Sequence, residues 1–133
     1  MKTTTSLHLA LSIVALLTIF HLGILLKIIP YDIVWGGRLT NDEEMFRFET
    51  ASLALNLLFG LLLLLKGSYL KPVLPAKIVT IGLWLYFTLF VLNTVGNLLA
   101  KTNFEKGFAV LTLLLCVLIW KVNRNSTQKP PEL

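Results

Sequence analysis

Two stretches of this chain carry no charged side chain over a length that, coiled as helix, exceeds the thickness of a bilayer's hydrocarbon core. Residues 3–26 supply 24 such positions and residues 78–100 supply 23. At 1.5 Å of rise per residue either run crosses about 30 Å. A helix of that length in a soluble domain shows a polar face to water, and these runs have none. Composition agrees: 56% of the 133 residues are hydrophobic and 14% charged, where a soluble domain keeps about a quarter charged. An ordinary soluble globule, a disordered chain and a disulfide scaffold are excluded. The one cysteine, Cys116, lies in an apolar run, so neither an intramolecular disulfide nor a thiolate metal cluster can form.

Two further apolar runs are shorter, 16 residues over 50–65 and 14 over 107–120. Their flanks lengthen them, because Lys66 and Lys121 can snorkel at one end while Phe46, Phe48 and Phe104 extend the apolar surface at the other. Helix starts fall at Thr40-Asn41-Asp42-Glu43 and Thr102-Asn103-Phe104-Glu105, both S/T-x-x-E capping boxes that satisfy the first free N–H groups. Gly67 is the expected C-terminal cap of the second helix, and Pro72 and Pro75 break the chain before the third. The expected fold is all-α: an integral membrane four-helix bundle, up-down-up-down, in a single domain over 1–122 with helices near 6–29, 41–66, 76–100 and 103–122. The polar stretch 123–133 reads as a disordered tail. The first apolar run exceeds a secretory h-region and lacks an A-x-A cleavage pattern, so it reads as a retained helix.

Lys and Arg on alternate sides of such a bundle divide seven to five. Lys2, Lys66, Lys71, Lys77, Lys121, Arg124 and Lys129 fall on one side, and Lys27, Arg38, Arg47, Lys101 and Lys106 on the other. The richer side is expected to be cytoplasmic, with both termini there. The net charge of +5 is spread over loops and ends without aromatic interleaving, so no nucleic-acid partner is expected.

Polar residues inside the hydrocarbon are expensive, which makes them the natural candidates for function. With small residues they form one small or polar stripe per helix: Thr18 and His21; Glu49, Ser52, Asn56 and Gly60; Gly82, Tyr86, Asn93, Asn97 and Lys101; Glu105, Ala109, Thr112 and Cys116. By helical rise, His21 lies about 9 Å inward from Lys27, Asn56 about 10 Å from Glu49, Asn93 about 12 Å from Lys101 and Thr112 about 10 Å from Glu105. These depths predict one polar layer, with Asn97, Ser52, Glu49 and Glu105 nearer the outer mouth. His21, Arg38, Glu49, Ser52, Asn56, Asn93, Asn97 and Lys101 are therefore the candidate ligand-binding residues of a pocket opening outward. Each also has a plain structural role to set beside it. An intramembrane Asn can serve as interhelical glue, Glu49 can pair with a base, Glu105 can simply cap its helix, and Cys116 reads as packing. Trp35-Gly36-Gly37-Arg38 reads as a turn beside an interfacial aromatic; it is neither GxGxxG nor a Walker loop. No HExxH, GxSxG or Cys/His cluster occurs, so neither metal nor cofactor is expected and no catalytic residue can be assigned. Asn125-Ser126-Thr127 matches a glycosylation acceptor but would lie on the cytoplasmic side.

The run Val34-Trp35-Gly36-Gly37-Arg38-Leu39, then Glu44-Met45 and Phe48-Glu49, with Asn93-Thr94-Val95-Gly96-Asn97 and Lys101-Thr102-Asn103-Phe104-Glu105-Lys106, resembles a group of small bacterial integral membrane proteins of unassigned function. That resemblance implies a bacterial plasma membrane and no activity. In architecture alone the chain is similar to the emopamil-binding-protein type of sterol isomerases. Three functions follow from the stripes. The first is a binding or accessory protein for a lipid or small amphiphile, or for a membrane-protein partner or second copy of the chain. The others are an intramembrane lipid-modifying enzyme of isomerase type using His21 or Glu49, and a small oligomeric transporter.

Overall fold

A computed structural model describes residues 2–124. The expected disordered stretch lies, from residue 125 onward, outside the described residues. Four helices make up the fold: α1 (Thr3–Leu25), α2 (Asp42–Lys66), α3 (Ala76–Leu98) and α4 (Asn103–Arg124), with no strand among the described residues. Helices α1, α2 and α3 are each long and apolar enough to cross a membrane.

The helix starts come from local chemistry. Thr102 caps α4, its hydroxyl accepting from the Glu105 N–H at 3.2 Å and donating to the Glu105 carboxylate at 2.8 Å. At α2 the box is displaced by one residue from the expected Thr40–Glu43 pair. Asn41, extended at φ −153°, is the cap and accepts from the Glu44 N–H at 2.9 Å. Glu44 reaches back to the N–H and hydroxyl of Thr40, while Glu43 pairs with Arg47 at 2.6 Å. Asn is as good an N-cap as Thr, and the acidic triplet offers a partner in either register.

The helix ends differ from the sequence expectation. Helix α1 stops at Leu25 rather than near 29, because Lys27 turns left-handed at φ 61° and a Schellman pair closes the end: Lys27 N–H to Ile24 O and Ile28 N–H to Gly23 O, both 2.9 Å. Helix α2 ends the same way, with Ser68 at φ 60° rather than Gly67 in the left-handed position. Here Ser68 bonds Leu65 O and Tyr69 bonds Leu64 O. Helix α1 begins three residues before the expected position and α4 runs two residues beyond it, so 123 and 124 are helical. Nothing in those flanking residues breaks a helix.

In the bundle α3 packs most extensively on α4 and α1 on α2; α1 also meets α4, and the seam between α2 and α3 is the slightest. Phe59, Leu63, Leu83, Leu115, Leu118 and Ile119 fill the centre. Lipid tails are as apolar as these side chains, so the helices are held by close packing rather than by expulsion from water. Gly60 shows the closeness: a Cβ there would stand 3.1 Å from Val14 Cγ1. Leu16, Ile19, Leu85 and Val110 are exposed around the outside, as an apolar perimeter requires. A second, smaller core of Ile24, Leu39 and Met45, backed by Phe20, Ile29 and Tyr31, holds the 26–41 loop against one end of the bundle. That end, where the α3–α4 turn also lies, holds the site.

Candidate functional site

A cavity of about 750 Å³ opens at the loop end of the bundle, walled by all four helices, by Val34–Arg38 and by the turn at Leu99–Lys101. All eight candidates, His21, Arg38, Glu49, Ser52, Asn56, Asn93, Asn97 and Lys101, line it. Their side chains divide sharply by what they touch.

Two carboxylates sit in the wall almost out of reach of solvent, Glu49 at 1% and Glu105 at 5% exposure. An ionised carboxylate so buried needs every oxygen satisfied. Glu49 Oε2 lies 2.7 Å from His21 Nδ1 and Oε1 accepts from the Trp35 indole at 3.1 Å. Glu105 Oε2 accepts from the Thr102 hydroxyl, and its Oε1 from the Gly36 backbone N–H at 2.6 Å. The His21–Glu49 contact joins α1 to α2 at the cavity wall.

These bonds also shape the loop. Trp35, Gly36 and Gly37 lie consecutively in the left-handed region at φ 55°, 66° and 70°. Glycine takes that conformation freely, and Trp35 does so at a cost of about 1 kcal/mol. Its indole is held by Glu49 and by a tilted ring contact with Phe48, centroids 4.9 Å apart. The left-handed run presents the Gly36 N–H to Glu105. One loop is therefore clasped by carboxylates from two helices, α2 and α4.

Asn56 spends its amide on the bundle, donating to Val14 O at 3.1 Å and Thr18 Oγ1 at 2.8 Å across the α1–α2 seam. Thr112 likewise meets Thr94 at 2.8 Å between α4 and α3. Tyr86 donates to Leu55 O at 2.7 Å across the α2–α3 seam. Ser52, Asn93, Asn97, Arg38 and Lys101 line the cavity, and among the described residues their side chains have no hydrogen-bond or ion-pair partner. Thus the depth layer of His21, Asn56, Asn93 and Thr112 converges on one cavity, where Asn56 and Thr112 are tied to neighbouring helices and the Asn93 side chain has no partner among the described residues.

Sequence reasoning missed three contacts. It treated Trp35-Gly36-Gly37 as a turn, set Glu105 at the outer mouth with a helix cap as its simplest role, and placed Tyr86 in a stripe without a partner. No local pattern shows that Gly36 meets a residue 69 positions later. The only available signal was a second acidic residue at the same depth as Glu49. Among the described residues no group of three or more His, Cys, Asp or Glu could hold a metal ion.

No family model, curated protein or solved structure matches this chain. The functional reading rests on the cavity.

Proposed function

We propose that the chain is a multi-pass membrane protein whose cavity binds a lipid or small amphiphile, opening toward the outer side of a bacterial plasma membrane. In this reading all four helices cross, up-down-up-down, with both termini cytoplasmic. Contacts of Leu7 with Gly67, Thr80 with Lys66 and Thr94 with Thr112 support the alternation, and the seven-to-five division of Lys and Arg supports the orientation. The observation that carries the binding role is the set of unpartnered polar side chains, Ser52, Asn93 and Asn97 with Arg38 and Lys101, on the wall of a cavity whose apolar lining includes Leu17, Leu89 and Phe90. An apolar pocket with a few convergent polar groups is the form a ligand site takes. A polar group facing hydrocarbon without a partner is costly, and a bound headgroup would satisfy it.

Native mass spectrometry of protein extracted with its own lipids tests this reading. Wild type is expected to carry a defined molecule that Asn93→Leu loses, and equal occupancy in both proteins would remove the reading's support. A second reading is favoured by one contact. The imidazole of His21 lies 2.7 Å from the Glu49 carboxyl on the cavity wall, a pairing that suits general acid–base chemistry. An intramembrane isomerase would use it, and turnover lost in a folded His21→Ala protein that still binds the same lipid would favour that activity.

A further inference from the structure

We infer that the ligand of this cavity is an amphiphile with an anionic headgroup, a phosphate or a carboxylate, seated between Arg38 and Lys101. This inference rests on the amphiphile-binding reading above and names the chemistry that site selects. The two acidic residues in the wall are engaged by the protein, each of their four oxygens lying in a hydrogen bond, and are nearly unexposed. The buried carboxylates therefore present almost no surface to a ligand. The unpartnered groups on the cavity wall are two cations, the Arg38 guanidinium and the Lys101 ammonium, with the amides of Asn97 and Asn93 and the hydroxyl of Ser52, which can donate or accept. Neither cation makes an ion pair, although Lys27 is paired with Asp42 and Arg47 with Glu43 at the same end of the bundle. Of the described cations outside an ion pair at this end, Arg38 and Lys101 line the cavity and Lys106 does not.

Their order along the bundle gives the ligand a direction. Arg38 and Lys101 stand in the loop and the turn at the mouth. Asn97 and Asn93 follow on α3, one helical turn apart, and Leu17, Phe90 and Phe108 line the cavity as well. The sequence runs from cation to amide to hydrocarbon, so a headgroup at the mouth places its chain against the apolar wall. Arg forms bidentate bonds with both phosphate and carboxylate, and a partly desolvated site strengthens those bonds over their value in water.

The test uses the full chain in nanodiscs of zwitterionic phosphatidylcholine, titrated by calorimetry with dodecyl phosphate, dodecanoate, the neutral glyceryl monolaurate and inorganic phosphate, each corrected for empty discs. One or both anionic amphiphiles should saturate the protein. The double variant Arg38→Gln/Lys101→Gln should weaken that binding about tenfold or more, leave its unliganded thermal midpoint near wild type and leave any neutral binding unchanged. Comparing dodecyl phosphate with dodecanoate identifies which anion the site prefers. If glyceryl monolaurate binds as well as the anions and the double variant changes nothing, the anionic headgroup is overturned while the pocket stands. Inorganic phosphate binding as tightly as dodecyl phosphate would overturn the amphiphile. If nothing of any charge saturates, the pocket reading itself fails.

Discussion

At the scale of single residues the polar minority separates into groups that hold the bundle and groups that remain available. Glu49 is nearly unexposed, and His21 supplies one of its two bonds. His21→Ala should therefore lower the unfolding free energy by about 3 kcal/mol, the scale of an uncompensated buried charge. Reversible unfolding in mixed micelles measures this, and a loss under about 0.5 kcal/mol would show that the pair contributes little. The two asparagines provide the contrast. Asn56→Leu removes two interhelical bonds and should cost about 1 kcal/mol, whereas Asn93→Leu, with no partner to lose, should stay within about 0.5 kcal/mol. The sequence placed both at similar depth and on a small or polar stripe. It did not distinguish them, because the distinction is whether Val14 O and Thr18 Oγ1 lie opposite.

Among the elements, helix starts were legible and helix ends were not. A capping box lies within four consecutive residues and can be read directly; even the register error at α2 left its first residue, Asp42, close to the expected 41. The left-handed residues that stop α1 and α2 are Lys27 and Ser68, side chains that advertise nothing of the kind, while the obvious Gly67 is right-handed at φ −80°. The loop clasp is an element-scale device with its own test. Thr102→Ala removes the α4 cap and should cost about 1 kcal/mol. Glu105→Ala removes the reciprocal cap bond together with the acceptor of the Gly36 N–H, and should cost about 2–3 kcal/mol. The second variant should also change Trp35 fluorescence, read in a Trp84→Phe/Trp120→Phe background. Equal losses and an unchanged spectrum would show that the clasp does not hold the loop.

The whole molecule combines an apolar perimeter with a polar cavity at one end, and its orientation decides what that cavity can meet. Site-directed labelling tests the proposed topology in a Cys116→Ala background. Asp32 and Ser68 are exposed near opposite ends of α2, outside the four α-helices. In intact cells Asp32→Cys should react with a membrane-impermeant maleimide, and Ser68→Cys should react only after permeabilisation. The reverse pattern would place the cavity on the cytoplasmic side and turn its ligand source inward. Equal labelling of both sites in intact cells would contradict a spanning bundle.

The sequence by itself determined that the chain is all-helical, that long apolar helices suited to a bilayer dominate it, and that small and polar residues recur in one stripe per helix. Charge-free length and helical period are local properties that need no knowledge of neighbours. The tertiary structure alone decided which polar groups are consumed and which are left facing the cavity. Glu49 and Glu105 turn out to be occupied by an indole, an imidazole, a hydroxyl and a backbone N–H, and Arg38 and Lys101 line the cavity unpaired. Those pairings join residues as far apart as Gly36 and Glu105. A hydrogen bond depends on where two atoms meet in space, and the spacing of one residue along its own helix carries no record of its partner.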